Sequence, residues 1–157
     1  MPNWCEGVLK IRGEKTNILR FFKEGLAPSR SYTDNEPPIQ VEETEWGGVL
    51  VRVENRVFWL KGTRRHFIDR DFFEVFFNED EEEQVVVIDD FKAAWSISAE
   101  ELAVISSEYQ IDFKVYGFEA GMGFNQSIEV IKGKIVEDRE ITFRDYDWEC
   151  INPKLGG

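Results

Sequence analysis

Hydrophobic and polar residues alternate over several short stretches of this chain, which is the pattern of half-buried β-strands. Two of these stretches, 49–53 and 57–60, are separated by a very short connection at Asn55 and Arg56, which predicts a hairpin. Gly133 lies in a similar connection, which predicts that the last two strands pair. The predicted strands cover residues 4–11, 49–53, 57–60, 85–88, 111–115, 126–132 and 134–144.

Residues 16–26 are predicted to form a helix, because apolar side chains recur there at four-residue spacing. Thr16 is the expected N-cap. Residues 27–45 are rich in Pro, Ser and Glu and are interpreted as a long excursion. Residues 67–77 fit both helical and strand periodicity, and we favour extended or irregular structure there. The apolar stripe of the helix consists of Ile18, Phe22 and Leu26.

A capping box predicts the start of a second helix, at about 98–108. The hydroxyl of Ser98 can accept from an early helical N–H while Glu101 reaches back to the cap amide. The order strand, helix, strands, helix, strands predicts one α+β domain over 1–157, in a split βαβ arrangement with an insertion at about 27–84. Its largely antiparallel sheet would carry two helices on one face. The inward stripe of the second helix is Leu102, Ile105 and Tyr109.

The composition of the 157 residues, 42% hydrophobic and 14% aromatic, predicts a packed domain. A disordered acidic chain carries far fewer aromatic residues. No apolar run approaches the roughly 20 residues needed to cross a bilayer, and no basic segment followed by an apolar one opens the sequence. Cys5 and Cys150 are too few for a disulfide framework. We therefore expect a cytoplasmic protein with reduced thiols and no membrane association.

The net charge of −12, from 31 acidic and 19 basic residues, is concentrated in one part of the chain. Residues 71–112 include 13 acidic residues and a single basic one, Lys92. An acidic run of this kind is either a solvated loop or an anionic surface that docks on a basic partner or imitates the phosphates of nucleic acid. The candidate protein-binding residues are Glu79, Asp80, Glu81, Glu82, Glu83, Asp89 and Asp90.

A basic stretch at 52–70 precedes the acidic one and contains the aromatic residues Trp59 and Phe67. Cationic grooves with aromatic platforms can stack single-stranded bases. The net charge of −12 repels a polyanion, however, so direct nucleic-acid binding is disfavoured.

Residues that could hold a metal or a nucleotide are present, but their spacing matches no known motif. His66 and the cysteines form no close ligand pair, the acidic run lacks the Gly of a calcium loop, and no phosphate-binding loop accompanies Asp89 and Asp90. No candidate nucleophile accompanies His66 as a general base. We therefore predict no metal, no cofactor and no catalytic residue. An alternative ligand site at one sheet end comprises Tyr116, Glu119, Gly121 and Gly123.

Three stretches together resemble a known family: Met-Pro-Asn-Trp-Cys-Glu at 1–6, Ala-Trp-Ser at 94–96 and the strand and glycine-containing turn at 113–124. They are similar to the YubB-type ferredoxin-like domain family of uncharacterised plasmid and phage proteins. The resemblance covers residues 1–26 and about 85–133. It implies a ferredoxin-like fold and an origin in a mobile genetic element, and it implies no known activity.

These observations predict a non-enzymatic accessory protein of a phage or plasmid that binds a basic host protein through its acidic surface. Counter-defence is the expected purpose, with inhibition of a nuclease or CRISPR effector by nucleic-acid mimicry. The alternative is a small-molecule or nucleotide-binding domain that uses the sheet end between Glu119 and Gly123. Ionic strength separates the two, because an acidic contact weakens with salt while a mostly apolar pocket hardly responds.

Overall fold

Two antiparallel sheets form the framework of the structure, a computed structural model that describes residues 1–29 and 38–157. The strands are β1 Trp4–Glu14, β2 Leu26–Pro28, β3 Gln40–Glu43, β4 Gly48–Arg52, β5 Phe58–Leu60, β6 His66–Ile68, β7 Phe72–Phe76, β8 Glu83–Ala94, β9 Asp112–Glu119, β10 Phe124–Ile131 and β11 Lys134–Thr142. The helices are α1 Lys15–Arg20, α2 Ala99–Tyr109 and α3 Tyr146–Glu149. The predicted excursion at 27–45 lies outside the described residues at 30–37, and its later part contains β3.

β1 lies near the centre of the large sheet, whose eight strands follow the order β11-β10-β9-β1-β8-β6-β5-β2. It pairs antiparallel with β8 along its whole length, from Trp4 opposite Ala94 to Glu14 opposite Glu83, and with β9 on its other side. Its alternating sequence fits this central position, because every second side chain is buried in the core. These fully buried residues include Cys5, Leu9 and Ile11.

The prediction of a ferredoxin-like, split βαβ α+β fold with two helices is wrong. The described residues form a sheet of eight strands and a second sheet of three, and only about 17% of them are helical. The pattern at 85–88 belongs to a strand of 12 residues, β8. In addition, β10 and β11 extend the sheet beyond β9, while β6, β5 and β2 extend it beyond β8. Strand pairing therefore determines the architecture more than helix packing does.

The small sheet has the order β3-β4-β7, and its inward residues join the same hydrophobic core as the large sheet. The hairpin predicted for 49–53 and 57–60 is wrong, because β4 pairs with β3 and β7 whereas β5 pairs with β2 and β6. The connection between them leads from one sheet to the other. The extended structure favoured for 67–77 is confirmed by β6 and β7, and Phe73 and Val75 are buried as strand alternation requires.

α1 packs on one face of the large sheet, here called the helix face. The ring of Phe21 lies 5.6 Å from that of Tyr109 in α2 and 5.6 Å from that of Phe113 in β9. The helix predicted at 16–26 is confirmed in part, because α1 ends at Arg20 and continues as a π-helical turn over Phe21–Gly25. The predicted N-cap, Thr16, is wrong, since the helix already begins at Lys15.

α2 begins where the sequence predicts. The hydroxyl of Ser98 accepts from the backbone N–H of Glu101 at 3.2 Å, and the predicted stripe of Leu102, Ile105 and Tyr109 is buried. The other predicted bond of the capping box, from the amide of Ser98 to the carboxylate of Glu101, is not formed, because both groups have other partners. The carboxylate of Glu101 accepts from the backbone N–H of Arg64 at 3.1 Å, and the amide of Ser98 donates to Nε2 of His66 at 3.0 Å.

The opposite face of the large sheet, here called the outer face, carries the even-numbered residues of β1 and β9. Val8, Lys10, Lys114 and Tyr116 are exposed there. Part of this face is covered by the C-terminal segment, residues 143–157, which includes α3. Its last two amides reach back to β1: Gly156 donates to the carboxylate of Glu6 at 3.3 Å, and Gly157 donates to the carbonyl of Trp4 at 2.8 Å.

Candidate functional site

A broad groove of about 950 Å³, here called the outer groove, lies on the outer face. β1 and β9 form its floor, with Val8 and Tyr116 side by side. Asp89 and Asp90 of β8 line one wall. Asn152 and Leu155 of the C-terminal segment also line the groove. Its volume is in the range of about 300–1,000 Å³ that is usual for small-molecule sites.

A β-bulge in β8 turns both Asp89 and Asp90 toward the outer face. Between Ile88 and Phe91, which are both buried, two residues of β8 face a single residue of β1. Asp90 has a positive φ of 61°, a conformation that Asp tolerates better than most residues. Its carboxylate lies 3.4 Å from the guanidinium of Arg70. Asp89 has no ion-pair partner among the described residues.

The candidate acidic run lies in the connection between β7 and β8 and ends at Glu83, the first residue of β8. Its five residues are exposed and are here called the acidic loop: Glu79, Asp80, Glu81, Glu82 and Glu83. The carboxylate of Glu79 lies 2.7 Å from the ammonium of Lys15, and that of Glu83 lies 3.4 Å from the guanidinium of Arg12. Gln84 holds the loop closed, because its side-chain amide donates to the carbonyl of Glu81 and to that of Asn78, just before the loop, both at 2.6 Å. Asp80, Glu81 and Glu82 form no ion pair within the described part of the chain.

The outward residues of β8 connect the acidic loop to the outer groove. They alternate in the order Glu83, Val85, Val87 and Asp89, all exposed. Val85 and Val87 are 58% and 52% exposed, which is high for apolar residues in a central strand. Because a strand rises about 3.3 Å per residue, the acidic loop and the two aspartates of the bulge lie about 20 Å apart. The predicted protein-binding residues thus occupy two ends of one exposed strand surface.

The alternative ligand site is not a single cluster in the structure. Glu119 is fully buried, and its two carboxylate oxygens accept from the backbone amides of Gly121 at 2.7 Å and Met122 at 2.9 Å. Its role is therefore to hold the turn after β9. Gly123 has a positive φ of 73° in the same turn. Tyr116 lies elsewhere, in the floor of the outer groove.

The C-terminal segment is held by a buried polar network that the sequence analysis did not identify. The hydroxyl of Tyr146 donates to Oδ1 of Asn125 at 2.7 Å. Nδ2 of Asn125 donates to the hydroxyl of Tyr116 at 3.1 Å and to Sγ of Cys150 at 3.5 Å. These contacts join residues far apart in sequence, so no local pattern indicates them. They fix the ring of Tyr116 in the groove floor.

His66 is a buried structural residue. Burial lowers the pKa of its imidazole to about 4, against a smaller opposing effect of a backbone hydrogen bond at Arg65. Nε2 accepts from the amide of Ser98, so the neutral ring carries its proton on Nδ1. Nδ1 and Oε2 of Glu101 are 3.8 Å apart, which is too far for a hydrogen bond between them. This cluster stabilises the start of α2.

The basic stretch at 52–70 is divided among several elements. The indole of Trp59 donates to the carbonyl of Thr63 at 3.1 Å and packs locally. Phe67 contacts Trp4 edge to face, and the ammonium of Lys92 lies 4.5 Å from the centre of the Trp4 ring. β5 and β6 nevertheless form a hairpin in which Trp59 lies opposite Phe67, whereas Arg52 belongs to β4 in the other sheet.

No family model, no curated protein and no solved structure matches this chain. The described residues contain no group of three His, Cys, Asp or Glu side chains that could hold a metal ion. Within the same residues, none of the helices has the length and apolar character needed to cross a bilayer. Both cysteines are free thiols. The candidate site thus rests on geometry and charge alone.

Proposed function

We propose that the protein is a non-enzymatic binding protein that docks on a basic surface of a partner protein through the acidic loop and the outward side of β8. The observation that supports this is the order of exposed residues along that strand. Apolar Val85 and Val87 lie between Glu83 and Asp89. An apolar centre with a charged rim is the usual anatomy of a protein interface.

The charges around this surface favour a basic partner. The two cations that contact the acidic loop already have ion-pair partners, because Arg12 lies 2.7 Å from Asp112 and Lys15 lies 2.7 Å from Glu79. The three central acids of the loop remain unpaired in the described structure. Their attraction extends over a Debye length of about 8 Å at physiological ionic strength. Summed like charges of this kind steer an oppositely charged partner toward the surface.

Nucleic-acid-binding enzymes are the class of basic partner that this proposal favours. The groove of such an enzyme is built to attract phosphates, and the acidic loop would present carboxylates at closely spaced positions instead. Inhibition of a host nuclease or CRISPR effector, as counter-defence by a phage or plasmid protein, is the corresponding biological role in this proposal.

A charge reversal of the unpaired loop acids tests the proposal. The test variant carries Asp80→Lys, Glu81→Lys and Glu82→Lys, which removes no ion pair among the described residues. The control variant carries Glu45→Lys, Asp138→Lys and Asp147→Lys, three exposed acids elsewhere on the surface. Each reversal adds two charges, so both variants change the net charge from −12 to −6.

The immobilised parent and control proteins should retain the same partner from a host extract at low salt and release it at high salt. The test variant should lose it. Equal retention by all three proteins would show that the acidic loop is only a solvated connection between β7 and β8.

A further inference from the structure

We infer that the outer groove binds a free mononucleotide, with its phosphate at Lys10 and Lys114 and its base on Tyr116. This site is separate from the acidic loop and does not depend on the docking function proposed above. It combines three features of the groove: two lysines that lie opposite each other, of which Lys10 has no ion-pair partner among the described residues, the ring of Tyr116, and the carboxylate of Asp89, which has no ion-pair partner within the same residues.

The two lysines lie directly opposite each other on the outer face. Lys10 of β1 pairs in register with Lys114 of β9, so their Cβ atoms are about 4.5–5.5 Å apart. Like charges at such positions repel each other and destabilise a sheet. Glu129 lies 3.5 Å from Lys114, but Lys10 has no ion-pair partner among the described residues. An anion placed between the two ammonium groups would remove this repulsion, and a phosphate carries the charge to do so.

The next pair along the same strands offers a surface for a base. Val8 lies opposite Tyr116, and the two residues are 40% and 39% exposed. The hydroxyl of Tyr116 is fixed by Asn125, and its ring meets Phe118 edge to face at 5.1 Å. A rigid ring costs little entropy on binding, and base stacking on an aromatic side chain is favourable for any base. Alternate residues of a strand are about 7 Å apart, a distance that a sugar can bridge between phosphate and base.

The wall of the groove offers an acceptor for the sugar hydroxyls. Asp90 is paired with Arg70 at 3.4 Å, and Asp69 is paired with Lys92 at 2.8 Å. Asp89 faces the same space without an ion-pair partner in the described chain, because the bulge turns it outward. Carboxylates bind ribose hydroxyls in dinucleotide sites by the same chemistry.

The shape and charge of the groove favour a single nucleotide over a nucleic-acid strand. The C-terminal segment lies at the groove, where Asn152 and Leu155 line it. The acidic loop lies beyond the lysines at the far end of β8. Because the whole chain carries a charge of −12, a longer polyanion gains contacts with two lysines and meets repulsion elsewhere.

Calorimetric titration of the full chain with AMP tests this inference, with adenosine, inorganic phosphate and an eight-residue oligoadenylate as comparison probes. AMP should bind about tenfold more tightly than adenosine or phosphate, since it uses both halves of the site. Tyr116→Ala should weaken AMP binding about tenfold through lost stacking, while Tyr116→Phe keeps the ring and should stay within about twofold. Lys10→Gln with Lys114→Gln should weaken it similarly, whereas Lys134→Gln, an exposed lysine in β11, should not.

Circular dichroism of each variant separates loss of the site from loss of the fold. The inference is overturned if phosphate binds as tightly as AMP, if the oligonucleotide binds more tightly than AMP, if Tyr116→Ala folds and leaves AMP binding unchanged, or if AMP does not bind. The acidic-loop variant should retain full AMP binding. A failure of the docking proposal is thereby distinguished from a failure of this one.

Discussion

His66 makes the stability of α2 depend on pH, because its imidazole must be neutral to accept a hydrogen bond at the start of that helix. Its Nε2 is the acceptor for the amide of Ser98, and only the neutral ring can accept. Protonation would give an ion pair with Glu101 at 3.8 Å. Burial outweighs this gain, since it lowers the pKa of the imidazole from 6.5 to about 4. Between about pH 4 and pH 6.5, His66 is therefore neutral in the folded protein but protonated in the unfolded chain.

We expect the free energy of unfolding to fall as the pH is lowered from about 6.5 to about 4, because the unfolded chain binds the proton first. The full contribution of His66, of the order of 3 kcal/mol, is present above the unfolded pKa and is lost as the pH approaches 4. Urea denaturation of the parent and of His66→Gln, whose amide oxygen can still accept from Ser98, measures this. The variant should show a smaller loss of stability over the same range, and an equal loss would contradict the assignment.

At the scale of the element, α2 depends on its N-cap. Ser98→Ala should lower the free energy of unfolding by about 1 kcal/mol, because the backbone N–H of Glu101 loses its acceptor. Ser107→Ala is the matched control, since that residue is exposed near the end of the same helix and surface substitutions usually change stability by less than about 0.5 kcal/mol. Chemical denaturation measures both variants, and equal stabilities would mean that the cap contributes nothing.

The bulge of β8 stores conformational strain at Asp90. Its φ of 61° favours glycine, so Asp90→Gly should be more stable than Asp90→Ala by about 1 kcal/mol. Both variants remove the carboxylate and its ion pair with Arg70, so their difference reports the backbone alone. Denaturation curves for the two variants provide the measurement. If alanine is tolerated as well as glycine, the strand relaxes at this position and the bulge is not held by its surroundings.

At the scale of the whole molecule, the cluster of negative charge on the acidic loop determines the rate of association with a basic partner. Reversal of Asp80, Glu81 and Glu82 to Lys should lower the association rate and reduce its dependence on salt. The dissociation rate should change by less than about twofold, because charges at a rim act before the complex has formed. Surface plasmon resonance with the purified partner at two salt concentrations separates the rates. An effect confined to dissociation would instead place these residues inside the contact.

Local signals in the sequence predict α2 and the strands β9 to β11 well, because capping residues and strict alternation act within a few positions. The length of β8 could not be predicted in this way. Its inward residues are even-numbered up to Ile88 and odd-numbered from Phe91, so the alternation breaks at the bulge and the strand pattern in the sequence ends there. The hairpin predicted at 49–60 fails for a related reason, since pairing partners depend on the whole sheet rather than on the turn.

The candidate site was predicted only in part. The run of acidic residues in the sequence predicts an exposed acidic segment, and the acidic loop lies at that place in the structure. The opposition of Lys10 and Lys114 arises from the register between two strands that are about 100 residues apart, and no single-sequence pattern contains that information. The same holds for the fixed ring of Tyr116, whose position depends on Asn125 and on the C-terminal segment.

The bulge also has a consequence for how the gene can change length. A loss of one codon between Ile88 and Phe91 would restore strict alternation and leave the buried side chains on both sides facing inward. A loss at Val87 would turn Val86 outward and expose one half of the strand's inner surface. β8 therefore has one place where the deletion of a residue is compatible with its core. The two residues at that place are the aspartates that line the wall of the groove. The burial of the strand's inward side chains therefore requires only one of the two residues, Asp89 and Asp90, at this place.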